Sequence, residues 1–243
     1  MIEVSNLRKC FGKVNAIDGV SFKAQDGQIT GLLGPNGAGK STTLRILYTA
    51  FKPDSGTAKI DGRDVTLERL AVRRSLGVLT HGAGIYERLS ARENVKYYGE
   101  LHGFYGKELN HRIDHLADLL DMNDFIERRA KGFSQGQKTK VALARALVHN
   151  PKNVLLDEPT NGLDVMATRG LREVILRLKD EGHCVLFSSH VMQEVAALCD
   201  EIVIIAKGTV TASGTPNAIR QATGQSNLED AFVNAIGSEE GLA

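Results

Sequence analysis

The chain has 243 residues, 42% of them hydrophobic and 24% charged, which is ample for a large core and ordinary for a globular protein. Thirty basic residues face twenty-nine acidic ones, so no overall electrostatic reason points to nucleic acid as the main partner. Cys10, Cys184 and Cys199 lack C-x-x-C spacing and suggest neither a disulfide framework nor a zinc site. Apolar runs such as "IVIIA" at Ile202 to Ala206 are far too short to span a bilayer, so any membrane role is expected to come through a partner.

In chain order, the first thirty residues alternate like strands, with Asp18-Gly19 and Asp26-Gly27 read as turns, and Gly56 to Val65 reads as a hairpin around Asp61-Gly62. An antiparallel β layer is expected there. Within this region Gly34-Pro35-Asn36-Gly37-Ala38-Gly39-Lys40-Ser41 satisfies G-x-x-x-x-G-K-[ST], follows the strand-like "QITGLL" and opens the helical "STTLRIL". The glycines let backbone N–H groups face a phosphate chain, with Thr42 in the same helix start. Lys40 can reach the β and γ phosphates, and the Ser41 hydroxyl can ligate Mg²⁺.

From about Arg88 to Asn150 the periodicity turns helical, with Leu109, Ile113, Leu116, Leu119 and Leu120 on one face, and this stretch is expected to form an inserted helical subdomain. Inside it, "KGFSQGQKTKVALARAL" (Lys131 to Leu147) looks like a second loop that opens a helix with bare N–H groups, again suited to an anion. Short apolar runs follow, "NVLLDE", "CVLFSS" and "EIVIIA", separated by helical patterns over Val165 to Lys179 and Val191 to Leu198, which indicates a parallel sheet. Asp157 and Glu158 stand at the carboxyl end of the first run, where an open α/β sheet places its ligands. Asp157 is positioned to hold Mg²⁺ through water, and Glu158 to orient or deprotonate an attacking water. After Gly214 comes a helical appendix, broken by "QATGQSN" and ending in "LEDAFVNAI".

With these pieces in this order, the chain resembles the ATP-binding subunit of ABC transporters over nearly its whole length. The resemblance implies a P-loop NTPase core of α/β class with a mixed, largely parallel sheet. Residues 1–87 and 151–214 would form the nucleotide-binding core with its β subdomain, 88–150 the helical subdomain, and 215–243 the appendix. It implies ATP and Mg²⁺ as cofactors and assigns further roles. Phe11, 23 residues before Gly34, matches the aromatic that stacks on adenine. "FSQGQ" (Phe133 to Gln137) resembles the family signature L-S-G-G-Q, keeping Ser134, Gly136 and Gln137 and departing at Phe133 and Gln135. Asp164 in "NGLD" matches a dimer-contacting loop, and His190, 32 residues after Glu158, matches the histidine that touches the γ phosphate.

One departure stands out. The family's Mg²⁺-ligating glutamine falls at His81, whose imidazole suits Mg²⁺ less well than a carbonyl oxygen. Gly82 and Gly84 still make that loop a plausible hinge.

The family arrangement implies a homodimer with two ATP molecules at its interface and an integral membrane permease as partner, which places the subunit on the cytoplasmic face of the membrane. "TNGLDVMATRGLREVI" and "SNLEDAFVNAIG" look most like export subunits, and "FSQGQKTKVALARAL" resembles the bacterial sodium-export type. Soluble ABC clamps that act on DNA or ribosomes are the rival class. Lys40 and Ser134 lie only 94 residues apart, too close for their long coiled-coil insertion, and one cassette is present where ribosome-bound relatives carry two.

Overall fold

The structure, a computed structural model, describes residues 1–237. In chain order the first elements are β1 (Ile2–Phe11), β2 (Val14–Ala24), β3 (Ile29–Leu33), α1 (Lys40–Leu47), β4 (Ser55–Ile60), β5 (Arg63–Asp64), α2 (Arg69–Arg74) and β6 (Leu76–Leu79). Three helices follow: α3 (Ala91–Leu101), α4 (Gly106–Leu119) and α5 (Gln135–Leu147). The chain then runs through β7 (Asn153–Asp157), α6 (Val165–Asp180), β8 (Cys184–Ser189), α7 (Met192–Leu198), β9 (Glu201–Ala206) and β10 (Thr209–Gly214) to α8 (Pro216–Thr223) and α9 (Leu228–Ile236). The last six residues of the expected appendix, 238–243, lie outside the described residues.

Two sheets organise these elements. One is antiparallel, in the order β2-β1-β4-β5; the other, in the order β10-β9-β3-β8-β7-β6, is parallel except for its β10 edge. The α/β class with an N-terminal antiparallel layer is therefore as the sequence implies. In the central strands the alternation of side chains decides the layering. Leu32, Leu155 and Leu186 join the core beneath the antiparallel sheet, whereas Leu33, Leu156 and Phe187 face the helices. Both faces are buried, so these strands read as unbroken apolar runs. Leu109, Ile113 and Leu116 of α4 are buried in that second core as their spacing predicts, and Leu119 packs at its edge.

One expected turn is overturned. β2 runs straight through Asp18 and Gly19, and the chain reverses at Gly12-Lys13 instead. Asp18 pairs with Arg8 across the ladder while Gly19, at φ +81°, is the extra residue of a bulge before Val20 pairs with Leu7. A glycine of positive φ serves a bulge as well as a turn, and the local sequence does not distinguish them. Asp61-Gly62 is the two-residue hairpin expected, both residues having positive φ. β10 and the short α2 carry no comparable sequence signal.

Candidate functional site: a phosphate loop facing two carboxylates

The chain leaves β3 at Leu33, and the loop from Gly34 to Gly39 delivers it into α1. Three close approaches require glycine or shape the turn. A Cβ on Gly34 would lie 2.2 Å from the Ile205 carbonyl oxygen, and one on Gly39, at φ +110°, would lie 2.6 Å from that of Ala16. The Ala38 N–H donates to the Pro35 carbonyl at 3.2 Å, which closes the turn around Asn36 and Gly37. Gly39 caps α1 without a side chain. The N–H groups of Lys40, Ser41 and Thr42 therefore belong to a first turn that supplies no carbonyl partner, the arrangement that favours an anion.

Lys40 is the charged centre of this loop and is only 4% exposed. Its Nζ donates to the carbonyls of Gly34 (2.6 Å) and Pro35 (3.1 Å) and lies 3.8 Å from Glu158 Oε1. Burial pulls its pKa below the ordinary lysine value, against the opposing attraction of Glu158 and Asp157.

Asp157, the last residue of β7, is 3% exposed and accepts from the hydroxyls of Ser188 (2.7 Å) and Ser41 (3.0 Å). Glu158 follows at φ 48°, an uncommon conformation for a residue with a side chain. Its N–H is held by the Ser188 carbonyl (3.2 Å) and hydroxyl (3.0 Å). The Glu158 carboxylate thereby comes between Lys40 and His190, whose Nδ1 is 3.3 Å from Glu158 Oε2 and whose side chain is 44% exposed. Adjacent β7 and β8 thus bring Asp157, Glu158 and His190 together at the carboxyl end of the sheet.

A cleft of about 360 Å³ opens beside this group, lined by His81, Gln135, Asp157, Glu158 and Asn161. Among the described residues no three His, Cys, Asp or Glu side chains gather as a ready-made metal cage. Mg²⁺ does not need one, since it characteristically takes one or two protein oxygens and fills its octahedron with water and phosphate. The Ser41 and Asp157 oxygens, 3.0 Å apart, are hard donors that fit this pattern, while His81 offers nitrogen in the same cleft.

Phe11 ends β1 at the hairpin tip, 44% exposed, with its ring edge-to-face on Phe51 at 5.4 Å and the Lys9 ammonium 5.5 Å above it. The signature segment opens α5. Ser134 caps α5 in a reciprocal box with Gln137, and Asp164 caps α6 by accepting from the Ala167 N–H. Ser134, Gly136, Gln137 and Asp164 border a second cleft of about 450 Å³ that shares no lining residue with the first. The chain therefore gathers Lys40, Ser41, Asp157, Glu158 and His190, with Gln135 of the signature segment in the first cleft and Ser134, Gly136 and Gln137 at the second.

Sequence reading missed Ser188, whose hydroxyl touches both Asp157 and Glu158. The serine doublet before His190 was the available signal.

Residues 17–161 match the model of a family described as ABC transporter. The ABC transporter ATP-binding protein NatA of Bacillus subtilis (strain 168) is 40% identical over 224 residues, covering 92% of this chain and 91% of that protein. The daunorubicin/doxorubicin resistance ATP-binding protein DrrA of Streptomyces peucetius is 36% identical over 227 residues, covering 93% and 69%. Among solved structures, an ATP-binding subunit of an ABC transporter superposes with TM-score 0.88 at 28% identity, covering 97% of this chain and 99% of that one. A cassette solved as a dimer in a post-hydrolysis state with ADP and Pi superposes with TM-score 0.80 at 25% identity, covering 88% and 98%. The fold, the phosphate loop with its facing carboxylates and these likenesses agree: the chain belongs to the ABC transporter family as one of its ATP-binding subunits.

Proposed function

We propose that the chain hydrolyses ATP and couples it to export through a separate integral membrane permease, with sodium ions or small molecules as cargo. The observation that carries the reading is the placement of the Glu158 carboxylate, 3.8 Å from the Lys40 ammonium and 3.3 Å from the His190 ring, beside the Ser41–Asp157 pair.

In this reading Phe11 stacks on the adenine, and the loop from Gly34 to Thr42 binds the phosphates through its N–H groups. Lys40 turns its charge from the loop carbonyls to the β and γ phosphates. Ser41 and Asp157 would hold Mg²⁺, which supplies charge neutralisation for the phosphates. Glu158 accepts a proton as water oxygen attacks the γ phosphorus. The bond to the ADP oxygen breaks and its electron pair leaves with ADP. His190 hydrogen-bonds the γ-phosphate oxygens.

The division into a nucleotide-binding core (1–87 and 151–214), a helical subdomain (88–150) and an appendix from 215 belongs to the same proposal. Two copies would pair head to tail, each covering its partner's ATP with Ser134, Gly136 and Gln137, and Asp164 would lie at the contact. The exposed Val165 and Met166 beside Asp164 support burial there. The loop His81 to Arg88 and the adjoining helices would dock the permease, where the exposed Tyr86 of the loop and Tyr97 of α3 meet edge-to-face at 5.7 Å. Among the described residues no helix is long and apolar enough to cross a membrane; the family membership supports a place at the cytoplasmic face through that partner. The name of the DrrA relative supports a small-molecule cargo, and the likeness of "FSQGQKTKVALARAL" to sodium-export subunits supports the ion.

The test is reconstitution of the co-purified complex in vesicles, with ATP-dependent movement of sodium and of an amphiphilic drug measured separately. Hydrolysis without movement of either cargo would overturn the export assignment, and absence of hydrolysis would overturn the enzyme.

A further inference from the structure

Glu194, in the first turn of α7, is only 5% exposed and takes part in no ion pair among the described residues. A single atom, Oε2, accepts from two hydroxyls: Thr160 Oγ1 at 2.7 Å and Ser189 Oγ at 3.1 Å. Burying a carboxylate is costly unless its oxygens find donors, so its position calls for an account beyond the general stability of α7.

The two hydroxyls supply one. Thr160 stands two residues after Glu158, in a loop tightened by the Asn161 N–H on the Glu158 carbonyl (3.2 Å) and the Leu163 N–H on the Thr160 carbonyl (3.1 Å). Ser189 immediately precedes His190, and its Oγ also accepts from the Val191 N–H at 2.9 Å, so His190 is the middle residue of a side-chain-closed turn. Glu194 therefore ties the backbone just after Glu158 to the backbone just before His190. Glu158 itself, at φ 48°, has a conformation that persists only where its surroundings over-determine it.

We propose that Glu194 is a positioning residue for ATP hydrolysis, fixing Glu158 and His190 relative to one another through Thr160 and Ser189. The inference rests on the reading that Glu158 and His190 act at the γ phosphate. The hydrogen-bond partners of the Glu194 side chain are Thr160 and Ser189, neither of them in the phosphate loop, so losing it should disturb alignment and leave nucleotide capture alone.

The experiment measures steady-state ATP turnover of the complex for wild type, Glu194→Ala, Glu194→Gln, Thr160→Val and the Glu194→Ala/Thr160→Val double variant, with Glu158→Gln alongside. Glu194→Ala should lower kcat by about 10- to 100-fold, the scale of a displaced catalytic group, with KM for ATP within about threefold of wild type. Because both hydroxyls meet one oxygen, the carbonyl of Glu194→Gln can accept from both, and this variant should recover most of kcat. Thr160→Val should lower kcat, and adding it to Glu194→Ala should cost little more, since the two share one interaction.

Wild-type kcat in folded Glu194→Ala, or a rise in KM with kcat unchanged, would overturn the proposal. So would a Glu194→Gln no better than alanine. If Glu194→Ala does not fold, Thr160→Val and Glu194→Gln decide by the same split between kcat and KM. Unchanged turnover in Glu158→Gln would instead sink the underlying reading, whatever Glu194 does.

Discussion

Replacing Glu158 by glutamine should slow hydrolysis and at the same time tighten ATP binding. The carboxylate lies 3.8 Å from the Lys40 ammonium, and at an effective dielectric of about 20 that attraction has a gross size of about 4 kcal/mol. The γ phosphate must compete for the same cation. Lys40 also donates to two loop carbonyls, and the open cleft admits water, so only about a third of the gross attraction should appear in binding, about 1.4 kcal/mol or tenfold in Kd. Removing the base should lower turnover by about 10² to 10⁴.

Equilibrium titration with a non-hydrolysable ATP analogue, at fixed Mg²⁺ and pH, measures the first effect, and phosphate release measures the second. Glu158→Asp is the control: it keeps the charge, so its Kd should stay near wild type while turnover falls. A glutamine variant that binds the analogue no more tightly than wild type would refute the competition argument. Turnover within about threefold of wild type would refute the general base.

Three further outcomes are expected. Lys40→Ala and Ser134→Arg, each inactive alone, should partly complement when mixed, because a mixed dimer has one site with an intact Lys40 facing an intact Ser134; nucleotide trapping no greater than the sum of the single variants, with heterodimers confirmed, would contradict a two-chain site. His81→Gln should lower the Mg²⁺ concentration needed for half-maximal turnover, since a carbonyl oxygen suits Mg²⁺ better than an imidazole; an unchanged Mg²⁺ dependence would exclude His81 from that role. His149, stacked on His102 at 3.7 Å with its Nε2 3.0 Å from the Leu76 carbonyl oxygen, is pushed down to about 4 from 6.5 by burial, aided by the neighbouring His102. The unfolded chain therefore binds the proton first, and stability should be lost as pH falls from 6.5 towards 4, by about 2 kcal/mol at pH 5. Urea midpoints of wild type and His149→Phe should diverge across that window, and parallel curves would refute the assignment.

The parts of the site that were legible in the sequence are those whose chemistry is local. The phosphate loop needs its glycines, Lys40 and Ser41 consecutively between a strand and a helix, so eight residues carry both signal and geometry. Asp157 and Glu158 were legible because a buried strand ending in two carboxylates has few structural uses. Ser188 and Glu194 were not, because their roles come from β7 lying beside β8, which no local pattern states. The misread Asp18-Gly19 turn has the same cause. Whether a positive-φ glycine turns the chain or bulges it depends on the partner strand, and β1 pairs straight past it.

The second anion cradle was legible as a helix opening, but its location gives it meaning. Ser134 Oγ accepts from the Gln137 N–H at 3.2 Å, and Gln137 Oε1 accepts from the Ser134 N–H at 3.1 Å, so both side chains are engaged within the cap. What the start of α5 can offer an anion is the N–H groups of Gln135 and Gly136, which the capping box leaves to other partners. A Cβ on Gly136 would lie 3.1 Å from that of Ala167, so glycine there also sets how closely α5 approaches the start of α6 and its cap Asp164. Gly136 borders the second cleft, whereas Gln135 lines the one that holds Glu158. The proposed pair gives both cradles a use, since a phosphate held by the loop of one copy would be met by the helix start of the other. In the proposed pair the γ phosphate is the ligand that joins the copies, so its loss on hydrolysis would release them.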